Sequence, residues 1–124
     1  PLFKLEKKLR ARTYQIFVAE TEGKAERSWK YIGCSPKFFQ DWIAYHYYDG
    51  MTRENYGKYW NLEHVKPISS FDLSKIEEVN KCFSWKNVQP YKIEKNKDKG
   101  NKVLLNNIVL QELKVKIYLK NLIK

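Results

Sequence analysis

Of the 124 residues only two are histidines, and one of them, His64, follows an acid in the stretch LEHVKPISSF at 62–71. A carboxylate and an imidazole side by side can hold a cation, move a proton, or simply face water at a turn. Glu63 stands among Trp60, Leu62 and Val65, whose types suit a half-buried strand. Carboxylates are scarce in such places unless they are paired or bind a metal. Pro67 then ends the strand, because it has no N–H to give to a ladder. Two asparagines follow at junctions, Asn87 in SWKNVQPY and Asn96 in YKIEKNKDKGNK. Taken singly, a turn asparagine and an exposed helical asparagine imply no chemistry.

The elements that must position these residues can be outlined from periodicity. Residues 2–19 put Leu2, Leu5, Leu9, Ile16 and Phe17 at helical spacing, with Lys7, Lys8, Arg10 and Arg12 on the other face. TEGKAERS is a polar loop. Ser35-Pro36 signals a helix start, running through Phe38, Phe39, Trp42, Ile43 and Tyr45 until Asp49-Gly50 stops it. MTRENYGK is a loop and YWNLEHV a short strand. SSFDLSKIEEVNKCF predicts a short helix capped by Ser74, with Ile76, Val79 and Phe83 on one side. SWKNVQPY predicts a second strand broken at Pro90, and a Lys-rich helical segment follows it to Gly100. The run from Val103 is apolar at every third or fourth position, as expected of a helix packed on the core, on a partner or on a membrane surface. Strand residues 63 and 64 point to opposite faces unless the chain bends there.

No repeat and no linker divides the chain, so one domain is expected. Its 24 Lys and Arg against 14 Asp and Glu give a net charge of +10, which favours a polyanion as partner. No apolar run is long enough to cross a membrane, and PLFKLEKKLR lacks the apolar core of a secretion signal. Cys34 and Cys82 form no C-x-x-C pair, which speaks against a structural zinc and against a disulfide framework. Reduced thiols in a cytoplasmic or nuclear compartment are therefore expected.

The ordered set Glu-His, Asn-Val-Gln-Pro and Asn before Lys-rich sequence resembles the HNH endonucleases of the ββα-metal (His-Me finger) superfamily. The likeness extends upstream through IGCSPKFFQDWIAYHYYDGMTRENYGKYW, similar to HNH proteins of phages and large viruses, and covers roughly residues 8–102. It implies an α+β fold, a ββα-metal core with flanking N- and C-terminal helices. Residues 1–58 would form a helical part, 59–102 the ββα-metal motif and 103–124 a C-terminal helix.

The resemblance also implies roles. His64 would be the general base that takes a proton from the attacking water, a task suited to a side chain titrating near neutrality. Asn87 would brace the loop between the strands and so align His64. Glu63 and Asn96 would be the metal ligands, and one anionic plus one neutral ligand suit Mg²⁺ or another hard divalent cation such as Mn²⁺. The expected reaction is hydrolysis of DNA, double-stranded, by a monomer or homodimer. Lys92, Lys95, Lys97, Lys99 and Lys102 on the metal-bearing segment, with Arg10, Arg12 and Arg53, would meet phosphates. Many family members carry Asp where this chain has Glu63, and several carry His where it has Asn61. Those departures give the alternative expectation, a catalytically weakened module of the same fold that holds nucleic acid.

Overall fold

Leu9, Ile16 and Phe17 recur at helical spacing and are buried along one side of α1, Leu2–Val18. Thr13 on the same side is buried too, its hydroxyl donating to the Leu9 carbonyl at 2.9 Å. The computed structural model describes residues 2–20, 29–95 and 103–123. After α1 come the short α2 (Trp29–Ile32), α3 (Pro36–Tyr45), β1 (Trp60–His64), α4 (Ile76–Phe83), β2 (Val88–Lys92) and α5 (Leu105–Leu122). Helices dominate, and β1 and β2 form one two-stranded antiparallel sheet, so the fold is α+β.

The main core lies where α1, α3, α5 and the ribbon meet. Phe17, Phe39, Trp42, Trp60, Val88 and Val115 are all buried in it. Phe17 meets Phe39 and Trp60 edge-on, with ring centroids 6.2 and 5.6 Å apart. Such aromatic pairs add about 0.5–1.5 kcal/mol each beyond the burial of their area. A smaller cluster of Leu9, Ile68, Val79, Cys82 and Phe83 packs α1 and α4 around the loop that joins the strands. The Gln40 amide reaches from α3 to the carbonyls of Ile16 and Ala19, at 3.3 and 2.9 Å, and so satisfies the orphan end of α1.

Ser35 caps α3 as its sequence signals, its hydroxyl oxygen accepting from the Phe38 N–H at 3.2 Å with Pro36 in the first turn. The helix stops earlier than expected, at Tyr45. His46 and Tyr47 donate to Ile43 and Ala44, three residues back, which tightens and closes the last turn. Asp49-Gly50 forms a separate turn, both residues having positive φ, 51° and 87°. Thr52 and Asn55 then bind each other's backbone N–H groups through their side chains, at 2.8 and 3.3 Å, and hold the loop before β1.

Three further expectations change. Ser74 does not cap α4: its N–H and hydroxyl both turn to the Asp72 carboxylate, at 3.0 and 2.6 Å, and Lys75 occupies the cap position. Ile76 is exposed, and Cys82 joins Val79 and Phe83 on the buried side instead. Pro90 does not break β2 but sits inside it, opposite Leu62. A two-stranded ribbon has an open edge on each strand, and a proline there removes no cross-strand bond.

Candidate functional site

The register of the ribbon sets the site. Glu63 lies opposite Gln89 and His64 opposite Val88, with no bulge between them. Regular pairing therefore sends their Cβ atoms to opposite faces, and the bend a shared site would need comes later, at Val65-Lys66. The His64 ring rests edge-on against Phe83 of α4, centroids 5.0 Å apart. Glu63 is buried, at 8% exposure. Burial holds the Tyr48 hydroxyl above its usual pKa, and the Glu63 charge adds to the rise.

Asn87 closes the loop that leaves His64. Its backbone carbonyl accepts from Val65 N–H at 2.8 Å, extending the ladder by one step. Its side-chain oxygen accepts from Lys66 N–H at 2.9 Å, while its amide donates to the carbonyls of Lys66 at 3.1 Å and Cys82 at 2.9 Å. The geometry follows from the short 3-10 turn Trp85–Asn87, which Ser84 starts by accepting from Lys86 N–H at 3.2 Å. β2 is held from outside the ribbon as well. The Val88 carbonyl accepts from the Trp42 indole at 3.0 Å and from the Gln111 amide at 3.3 Å, and that amide also reaches the Lys86 carbonyl at 3.0 Å.

Directly after β2 the chain turns helical at residues 93–95. Asn96, Lys97, Lys99 and Lys102 lie outside the described residues. Lys92 is mostly buried in an ion pair with Asp49, and its ammonium stands 5.8 and 5.6 Å from the rings of Tyr48 and Tyr59. Lys95 also approaches Tyr48, at 6.0 Å. The arginines are placed elsewhere. Arg10 pairs with Glu6 at 3.4 Å, Arg12 lies 5.8 Å over Tyr31, and Arg53 lies 5.2 Å over Phe17. The structure thus brings His64 and Asn87 together and gathers Lys92 and Lys95 around Tyr48, while Arg10 lies near Cys82, whose carbonyl Asn87 binds.

Among the described residues no group of three or more His, Cys, Asp and Glu side chains could hold a metal. Of the two residues expected to hold a cation, Glu63 is buried in β1 and Asn96 lies outside the described residues.

Sequence reasoning placed Trp42 and Phe83 on helix faces without a part at the site, and it missed Gln111. Gln111 left a signal, since it is a polar residue on the stripe of α5 that also buries Val115 and Tyr118. His46 was also overlooked: it is buried, with Nδ1 2.8 Å from the Trp42 carbonyl, and burial pushes its pKa down to about 4. No helix among the described residues is long and apolar enough to cross a membrane.

Two uncharacterized proteins of Acanthamoeba polyphaga mimivirus are similar to this chain. One is 35% identical over 106 residues, covering 86% of this chain and 46% of the relative. The other is 34% identical over 91 residues, covering 73% and 38%. The chain thus spans less than half the length of these curated relatives. No family model matches it, and no solved structure does.

Proposed function

We propose that the chain is a metal-dependent endonuclease domain of the HNH type, hydrolysing phosphodiester bonds in DNA. The observation that carries this is the closure of the loop after His64 by Asn87, through three side-chain hydrogen bonds and one from its backbone. A general base must be held within hydrogen-bond reach of its water, and a histidine at the last residue of a strand would otherwise sit on a loose loop. His64 would take the proton from water attacking the phosphorus, its ring steadied by Phe83. Glu63 would ligate the cation together with Asn96. What a bound Mg²⁺ supplies is stabilisation of the charge that develops on the phosphate and on the leaving 3′ oxygen. Lys95 and the lysines beyond it would meet the phosphates flanking the cut.

The test is nicking of supercoiled plasmid with Mg²⁺, with EDTA, and by His64→Ala. The expected result is metal-dependent nicking that the variant loses while its DNA affinity stays nearly intact, because the base acts in the transition state. Nicking by His64→Ala at the parent rate would remove the assignment. Binding without nicking would turn the assignment to the alternative, a domain that holds DNA, and Asn61→His would then test whether activity returns.

A further inference from the structure

A cleft of about 480 Å³ opens between α5 and the loop joining the two strands. Its floor is Val65, Phe71, Ile108, Val115 and Leu119. Around this floor stand four lysines, Lys66, Lys81, Lys86 and Lys116, and one acid, Glu112. We propose that the cleft is a docking site for an acidic, amphipathic segment of a partner protein.

Charge is the first support. Arg10, Lys37 and Lys92 each have a carboxylate partner, whereas among the described residues none of the four cleft lysines is in an ion pair. Lys81, Lys86 and Lys116 are exposed, and the Lys66 ammonium stands 4.6 Å over the Phe71 ring. Four cations against one acid in a single cleft favour carboxylates that reach it together, more than scattered surface lysines do.

The floor decides which polyanion fits. A single strand held by a cationic groove relies on aromatic faces for its bases to stack on, and a duplex would meet the lysines through its phosphates without covering an apolar floor. Here the floor is aliphatic apart from Phe71, whose ring already lies beneath an ammonium. Two amides border the cleft, and both are turned to main chain rather than outward: Asn87 to Lys66 and Cys82, Gln111 to Lys86 and Val88. That leaves little to read a base edge and much to bury aliphatic side chains. A segment with leucine-like residues on one face and carboxylates along its flanks meets both demands, in the helix-in-groove mode. The inference does not rest on the chain cutting DNA, although the occupant would lie against the turn that Asn87 closes.

The test uses a fluorescein-labelled helical peptide of leucine and glutamate with the leucines on one face, read by anisotropy against the whole chain. The same peptide with lysine for glutamate, and an oligothymidine, are the comparison probes. Saturable binding of the Leu–Glu peptide alone is expected, weakened about tenfold or more by Leu119→Glu and by Lys116→Glu. Both positions are exposed, Leu119 at 37%, and an unchanged circular dichroism melt confirms that each variant folds. Three results would overturn the proposal: no saturation, parent-like binding by folded Leu119→Glu, or displacement of the peptide by oligothymidine. The last would assign the lysines to nucleic acid.

Discussion

Asn87 and Lys66 are bonded in both directions: the side-chain oxygen accepts from the Lys66 N–H and the side-chain amide donates to the Lys66 carbonyl, at 2.9 and 3.1 Å. An asparagine alone among small side chains offers a donor and an acceptor on one planar group, which matches the N–H and C=O of a single residue at a chain reversal. The loop of residues 65–87 is thereby pinned at its two ends, two residues after His64.

Replacing Asn87 by alanine leaves the Lys66 N–H and the carbonyls of Lys66 and Cys82 without these partners in a half-buried site. The expected loss of stability is roughly 2–4 kcal/mol, seen as a lower urea midpoint. Asn87→Asp keeps the acceptor but sets a carboxylate against two carbonyls, so it should recover little of the loss. A midpoint within experimental error of the parent for Asn87→Ala would show that water replaces the clamp without cost.

If Glu63 and Asn96 hold the cation, Glu63→Ala and Asn96→Ala should each raise the Mg²⁺ concentration that half-activates nicking. Removing one ligand of a site with few protein ligands costs affinity first and turnover second. Unchanged Mg²⁺ titrations in both variants would exclude the pair as ligands.

His46 makes stability depend on pH. Burial holds its pKa near 4 in the folded chain, and the charge of Lys114 pushes in the same direction against the hydrogen bonds that raise it. In the unfolded chain the pKa returns to about 6.5. Between those values the unfolded state binds a proton that the folded state refuses, so stability is full above about pH 6.5 and falls as pH drops toward 4. The contribution is on the order of 3 kcal/mol. Urea midpoints from pH 7.5 to 4 should show the decline, and His46→Gln should flatten it; an equal slope in that variant would assign the decline to other groups.

Both thiols should be slow to react. Burial pushes Cys34 and Cys82 up to about 12, and Cys82 also feels the carboxylates of Glu6 and Glu78. Against the usual value of 9 that lowers the thiolate fraction about a thousandfold. Iodoacetamide at pH 8 should label the native chain far more slowly than the chain in urea, and equal rates would show that the burial is not maintained in solution.

The sequence disclosed what depends on local pattern and missed what depends on partners far along the chain. The face of α1 and the Ser35-Pro36 start of α3 are written in residues a turn apart, and both appear as expected. Ser74 has the right type for a cap, but the Asp72 carboxylate two residues earlier outcompetes the helix for its N–H and hydroxyl. Pro90 looks like a strand breaker until β2 is seen, among the described residues, to pair with β1 on one edge alone. Within the site, Asn87 could be singled out, whereas Phe83, Trp42 and Gln111 could not, because their importance lies in contacts no short window contains.

The indole of Trp42 donating to the Val88 carbonyl, 46 residues later, has a consequence for how the domain can be divided. The segment from β1 to β2 carries His64 and Asn87, yet it takes two of its restraints from α3 and α5. Transplanted alone into another scaffold, the hairpin would bring its chemistry without its alignment. The smallest portable unit is therefore the helical frame with the hairpin inside it, and a graft that omits α3 or α5 carries a motif but not a working part.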